Sequence, residues 1–438
     1  MDPNDRLQTL DVLSVGLSVE MLRQGDVWQQ VKKASDFHSN VLPPPESKQY
    51  LHSDDPGVYE KRLADTLELA LKPMVEAWPI PTVTVYDPPV AEMSQRLKDI
   101  FFNSVDGLRM PAGLHWTQIN QLDVVYNDNP EGVVEALFRT FERYPDLPAM
   151  LVYVEGPSGQ YDNGKRVSDA PIATYAAMVV GRRERVEWLR PWAPYTKMNV
   201  DEWWPQFNGW EQKPPRAFSP TPFFPTPWTR THFKQWDALP TLAQLHRPVV
   251  TALVDEEGAA LKRKQQEANL VAGWTEATQR TSPARVFFDT GKPGVGISTL
   301  SPVLTAAQSE LDLIDPQEGI DLSARLGDMS AASPFVGLVL ATMATAESGE
   351  PSMVVPLRRK DQATFMLLTK PDTKPAANAF DVKLMPQLSE GQDMPRQAPA
   401  APEHDRVAAV HNSPRQVAED NRTLNALLNN LPRSPHEG

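Results

Sequence analysis

The stretch LSARLGDMSAASPFVGLVLATM, residues 322–343, joins a tight turn to a helix built largely of small side chains. Gly327 supplies the turn, since without a Cβ it enters conformations that other residues avoid. Ser330, Ala331, Ala332, Ser333 and Gly337 keep the following helix thin. Helix axes approach according to the side chains between them, so this helix can pass close to its neighbours. Asp328 directly follows the turn glycine.

Outward from this stretch the chain alternates strand-like and helix-like segments. Residues 8–20, QTLDVLSVGLSVE, alternate side-chain character as a strand does, and GDVWQQVKKA reads as a short helix. Asp55-Pro56 supplies a cap and a first-turn proline for a helix of about 20 residues. On it Tyr59, Leu63, Leu67, Leu71 and Met74 recur at helical spacing as one buried face.

Two segments repeat the same order of elements. IPTVTVYDPPVAEMSQRLKDIFF (80–102) is a strand, an acidic turn and a helix, and EGVVEALFRTFERYPDLPAMLVYVEGPSG (131–159) is a helix, a turn, a strand and a glycine turn. RPVVTALVDEEGAALKRKQQEA, from Arg247, again gives strand, acidic turn and helix; WTEATQRTSPARVFFDTGKPG then gives helix end, turn, strand and glycine turn. The strands are short continuous apolar runs, the pattern of strands covered by helices on both faces. We read a duplicated α/β unit, with an N-terminal half over 1–187 and a C-terminal half over 247–370.

The connecting residues 188–246 differ in kind. Residues 188–240 carry seven of the eleven tryptophans, and EQKPPRAFSPTPFFPTPWTRTHF places a proline at almost every third position. Proline lacks the amide donor and fixes φ, so this belt is expected to be extended and laid over the body. Its rings either pack down or form a partner-binding patch, for which Trp203, Trp204, Trp210, Phe223, Phe224 and Trp228 are the candidates. Residues 371–438 form a proline- and alanine-rich arm. A final helix is expected at about 414–430, with Val417, Leu424, Leu427, Leu428 and Leu431 on one stripe; it docks on the body or serves as a handle for a partner.

Composition excludes several kinds of chemistry. A net charge of −13 argues against nucleic-acid binding and against electrostatic docking on anionic lipid. The runs Lys262-Arg263-Lys264 and Arg358-Arg359-Lys360 read as solvated faces. There is no cysteine, hence no disulfide, no thiolate ligand and no thiol nucleophile. The eight histidines are scattered without metal spacing, and no cofactor is expected. Asp54-Asp55 and Glu256-Glu257 are read as charges at helix starts. GKPGVG (291–296) has neither Walker nor Rossmann spacing and reads as a turn. Ser158 follows a strand, where a nucleophile elbow would lie, but its flanking pattern is not GxSxG. No apolar run approaches the ~20 residues that span a bilayer, and MDPNDRLQTLDV lacks the features of a signal peptide. A cytoplasmic location is expected, or a periplasmic one had a leader been removed.

Residues 326–368 resemble the closing segment of ketosynthases of the thiolase-like fold, where a glycine–histidine turn leads into an alanine- and glycine-rich helix, a loop and two strands. YVEGPSG (153–159) is similar to the earlier turn that carries the second histidine of those enzymes. The resemblance implies a duplicated thiolase-like α/β core of layered helices and mixed sheets. Here Asp328 stands at one histidine position and Gly156-Pro157 near the other, and the nucleophilic cysteine is missing. Transacylation needs a thiolate to hold the acyl group and histidines to move protons. The resemblance therefore implies a pseudoenzyme.

A broader resemblance, carried by LDVLSVGLSVEMLRQGDVWQQV, TVTVYDP, FNGWEQKPPRAFSPTPFFPTPW and LHRPV, is to the bacterial type VI lipase adapter family. It implies a non-enzymatic protein that binds a phospholipase effector and helps load it onto the spike of the type VI secretion machine. Two rivals are a serine hydrolase using Ser158 and Asp328, and an immunity-like protein that blocks a toxin.

Overall fold

The computed structural model describes residues 6–37, 39–50, 56–71, 73, 82–86, 121–123, 130–157, 159–168, 170–198, 207–221, 223–224 and 226–371. In the first half these form β1 (Thr9–Val19), β2 (Leu22–Arg23), α1 (Gln24–Lys33), α2 (Pro56–Leu71), β3 (Thr82–Tyr86), β4 (Gln121–Asp123), α3 (Gly132–Arg143), β5 (Ala149–Glu155), β6 (Tyr161–Asp162), β7 (Lys165–Arg166) and β8 (Thr174–Gly181). The belt contributes a 3-10 segment (Arg183–Tyr195), β9 (Thr196–Met198), β10 (Phe207–Trp210) and α4 (Arg230–Ala238). The second half follows with β11 (Ala243–His246), β12 (Val249–Ala252), α5 (Arg263–Ala277), β13 (Arg285–Asp289), α6 (Val295–Ala306), β14 (Gly319–Asp321), α7 (Leu322–Leu326), α8 (Ser333–Ser348), β15 (Ser352–Pro356) and β16 (Gln362–Thr369).

The principal sheet runs β14-β13-β15-β16-β11-β1-β8-β5-β3-β4 and is symmetric about the β11–β1 junction. In the first half β3 pairs parallel with β4 and β5, and β8 runs antiparallel between β5 and β1. In the second, β13 pairs parallel with β14 and β15, and β16 runs antiparallel between β15 and β11. The fold is thus the duplicated α/β arrangement of mixed sheet and helices that the sequence led us to expect.

The register of the duplication differs from the sequence reading. Strand β3 corresponds to β13, not to the strand that begins near Arg247; that strand, β11 with β12, corresponds to β1. The interval from Thr82 to Arg285 equals that from Ala149 to Ser352, so β3/β13 and β5/β15 share one offset. Successive units look alike when each is a strand followed by a helix, so the order of elements does not fix the register of the duplication. Glu256 and Glu257 also lie elsewhere than expected. They are exposed in the turn that precedes α5, seven and six residues before its first residue, Arg263.

Alternate residues of the second half-sheet face opposite layers, as the pleat requires. Val286, Phe288, Met353, Val355, Phe365 and Leu367 pack with Leu270 and Trp274 of α5 and Leu300, Val303 and Leu304 of α6. Phe287, Val354, Met366 and Leu368 face the larger core, shared with α8, α2 and the first half-sheet. Helix α8 is buried from Ser333 to Thr345, so its thin, apolar surface is covered on every side. Leu63, Leu67 and Leu71 of α2 are buried as predicted, while Tyr59 and Met74 lie outside the described side chains. Helix α2 crosses β1 at Gly16, where a Cβ would stand 2.0 Å from the Thr66 carbonyl oxygen.

One arginine ties the halves together. Arg247, between β11 and β12, donates Nε and an Nη2 proton to the Glu135 carboxylate at 2.9 Å each. Its remaining protons reach Glu142 at 2.6 and 3.2 Å and the Leu7 carbonyl at 3.1 Å. All five guanidinium donors are used, and both carboxylates sit on α3 of the first half.

Candidate functional site

Ligands in open α/β sheets gather outside the carboxyl ends of the parallel strands. Here β13 ends on Asp289, β14 on Asp321 and β15 on Pro356, and each leads into a segment singled out in the sequence. The turn after β5 joins them from the first half. A Cβ on Gly156 would lie 3.0 Å from that of Ala332, so YVEGPSG and LGDMSAAS are in contact. Gly327 has φ +84, and Ile172 donates its amide to the Asp328 carbonyl at 2.7 Å. The turn therefore needs glycine for its backbone and is pinned across the half-boundary.

Most polar groups at this edge bond to one another, although the buried Nη2 of Arg358 has no hydrogen-bond partner among the described residues. Asp289 is 2% exposed; its carboxylate accepts from Ser323 Oγ, Arg358 Nε and, at 2.9 Å, the Gly291 amide. Arg358 also reaches Asp328 at 2.7 Å, and Asp328 caps the Ser330 amide at 2.9 Å. Burial works against the charge on Arg358, but Asp289 and Asp328 outweigh it and raise its hold on the proton. Asp321 accepts from the amides of Gly294 and Ala324, and burial lifts its carboxyl above the usual aspartate range. Arg359 binds Asp361 and comes within 3.9 Å of Glu131 at the start of α3. Arg358 and Arg359 are thus largely covered and ion-paired, which corrects the expectation of a solvated basic face; Lys262-Arg263-Lys264 is exposed. Carboxylates on neighbouring turns drew the arginines inward, and no count of charges along the chain could show that.

What this cluster can do chemically is limited. Ser323 is buried and directed at a carboxylate, with no imidazole among its partners. The two histidines among the described residues are placed elsewhere. His232 accepts the Thr229 amide inside the belt, with its pKa pushed down to about 4 by burial, and His246 faces Thr369. Among the described residues no three His, Cys, Asp or Glu side chains converge to hold a metal. Ser158 lies outside the described residues. The serine–base–carboxylate relay of acyl transfer has no counterpart among the described groups.

The belt packs down. Trp228 meets Phe224, Phe233 and Trp236 edge-on at 5.7, 5.3 and 5.6 Å, and Trp188 stacks on Phe218 at 6.1 Å. Phe223, Phe224 and Trp228 are buried in the main core. Of the six candidate contact residues these three are therefore corrected: a partner reaches them only by opening the fold. Trp210 is half-buried on β10, and Trp203 and Trp204 lie outside the described residues. From Glu211 to Pro220 the belt turns mostly outward. Two groups were missed by sequence reasoning: the Arg247 clamp and the Asp289–Arg358 lock. The sole signal for the second was an aspartate closing an apolar strand before a glycine turn.

Family models place the chain. Residues 8–170 match the N-terminal model of type VI lipase adapter protein Tla3, and residues 242–370 match the C-terminal one. The chain belongs to the type VI lipase adapter family. Solved structures similar to this chain include the ketosynthase from module 6 of the Bacillus subtilis bacillaene synthase, at 10% identity and TM-score 0.46, covering 83% of this chain and 72% of that one. The module 1 ketosynthase of the Bacillus amyloliquefaciens bacillaene synthase is similar at 10% identity and TM-score 0.43, covering 83% and 76%. The 3-oxoacyl-[acyl-carrier-protein] synthase III of Aquifex aeolicus gives 10% and 0.36, covering 82% and 99%. Such likenesses concern outline and carry nothing about chemistry. Among the described residues no helix is long and apolar enough to cross a membrane.

Proposed function

We propose that this adapter binds a phospholipase effector and helps load it onto the type VI secretion spike, without catalysing a reaction itself. The observation that carries the reading is the membership in the lipase adapter family. It is supported by the turn cluster, in which Asp328 is a counter-ion to Arg358 and a cap for the Ser330 amide. A side chain held by an arginine and a backbone amide is not poised to shuttle protons. Effector contact falls to the outward side of the belt, Trp210 to Thr221, with Trp203 and Trp204 as further rings. Large amphipathic rings beside exposed prolines give contact area at low entropic cost.

Co-expression with candidate effectors tests this. The tagged chain should retain a phospholipase and, through it, a spike protein. Turnover of phospholipids or acyl thioesters by the purified chain above a buffer control would overturn the non-catalytic part. A Trp210→Ala chain that holds the effector as tightly as the wild type would overturn the assigned surface.

A further inference from the structure

Strand β12 leaves one of its two edges open. It pairs antiparallel with β16 from Val249↔Phe365 to Ala252↔Gln362, and Leu253 donates its amide to the Asp361 carbonyl at 2.7 Å. Backbone groups along an antiparallel strand turn to alternate sides, so Val249, Thr251 and Leu253 bond toward β16, while Val250 and Ala252 point away from it. The Ala252 carbonyl agrees: it accepts from Asn269 Nδ2 of α5 at 2.8 Å. Among the described residues the Val250 amide and carbonyl and the Ala252 amide meet no further strand. Strand β1 starts at Thr9, opposite His246, and the chain just before it turns toward α3, where the Leu7 amide bonds to Glu142 at 2.8 Å. Val250 is accordingly 51% exposed, and Ala252 is exposed as well.

We propose that this edge receives an extended, acidic segment of a partner protein as one more strand. An open edge is a template for pairing, and strand addition draws affinity from main-chain bonds and specificity from alternate side chains. The flank of the edge sets the chemistry of the partner. Lys262, Arg263 and Lys264 are exposed at the start of α5 and form no ion pair among the described residues. They are held beside β12, because the Leu253 carbonyl accepts from the Leu261 amide at 3.0 Å and from Gln266 Nε2 at 3.2 Å. These three cations outnumber Glu256 and Glu257 of the preceding turn, whose Asp255 is occupied by the Ala259 amide at 2.8 Å. The helix dipole opposes cations at a helix start, and α5 has no acidic residue in its first turn. A carboxylate arriving there is therefore favoured by the cations and by the dipole together. On the exposed face, Val250 offers an apolar neighbour to the alternate side chains of the incoming strand. The edge belongs to the second half-sheet, apart from the belt, and its occupancy does not depend on effector binding there.

The probe is a soluble peptide of about eight residues alternating valine and glutamate, titrated into the full chain at low salt. Hydrogen exchange at the Val250 and Ala252 amides should slow by at least about tenfold at saturation. Val250→Pro removes only an outward amide, so it should leave the ladder to β16 and the unfolding midpoint in place while abolishing the peptide's effect. Joint replacement Lys262→Glu, Arg263→Glu and Lys264→Glu should weaken the peptide by at least about tenfold without touching the edge itself, and added salt should act in the same direction. Unslowed exchange at saturating peptide overturns the proposal. Equal binding of a valine–lysine peptide overturns the assigned partner chemistry. Protection that appears without peptide and grows with protein concentration would mark a second copy as the occupant and equally refute it.

Discussion

Replacing Arg358 by methionine keeps most of the side-chain volume and removes the charge between Asp289 and Asp328. Asp289 is 2% exposed, and in the variant it keeps Ser323 Oγ and the Gly291 amide as donors but loses its counter-ion. Stripping one partner from a buried pair costs about 3–5 kcal/mol. The arginine side chain is 24% exposed, so water replaces part of what is lost, and the two surviving donors each offset some of the penalty. We expect a loss of about 2–3 kcal/mol, read as a lowered urea midpoint. Asp289→Asn removes the need for the counter-ion, so the double variant should recover about 1–2 kcal/mol relative to the sum of the single changes. Strict additivity, or a loss below about 0.5 kcal/mol for Arg358→Met, would show that the lock is a surface ion pair of the weak kind and that Asp328 is free for other work.

Further expectations concern the belt, the clamp and pH. His232 is neutral in the fold, with its pKa lowered by burial from the usual 6.5 to about 4. Its contribution is therefore complete above pH 6.5 and is lost as pH falls toward 4, by up to about 3 kcal/mol. His232→Gln should flatten that part of a stability–pH curve; an unchanged slope would refute the assignment. Burial tends to raise the Glu142 pKa, but its bonds from Arg247 and Leu7 prevail and lower it. Its stabilisation is present above its unfolded value near 4.5 and lost as pH falls below that, so Glu142→Gln should shallow acid unfolding below pH 4.5. Trp228→Ala, in the middle of the aromatic cluster, should cost about 3–5 kcal/mol, whereas Trp210→Ala should change stability little and reduce effector retention in a pull-down. Equal stability losses would place Trp210 in the core as well.

Local sequence determined the elements. Proline and serine at helix starts, glycine at turns and continuous apolar strands are governed by backbone sterics within a few residues, so β1, α2, β5, β13 and α8 could be drawn from the chain alone. The existence of a duplication was legible for the same reason, since each half repeats the same local punctuation. Its register was not, because pairing of β3 with β5 and of β13 with β15 depends on contacts between residues far apart in sequence. The same distance hid the site. Arg358 reads as one cation in a basic run until the ends of β13 and β15 bring it against Asp289, and Phe223, Phe224 and Trp228 read as a patch until folding buries them. Composition sets which groups exist; burial and pairing, decided only when the two half-sheets close on α8, set which of them remain able to act.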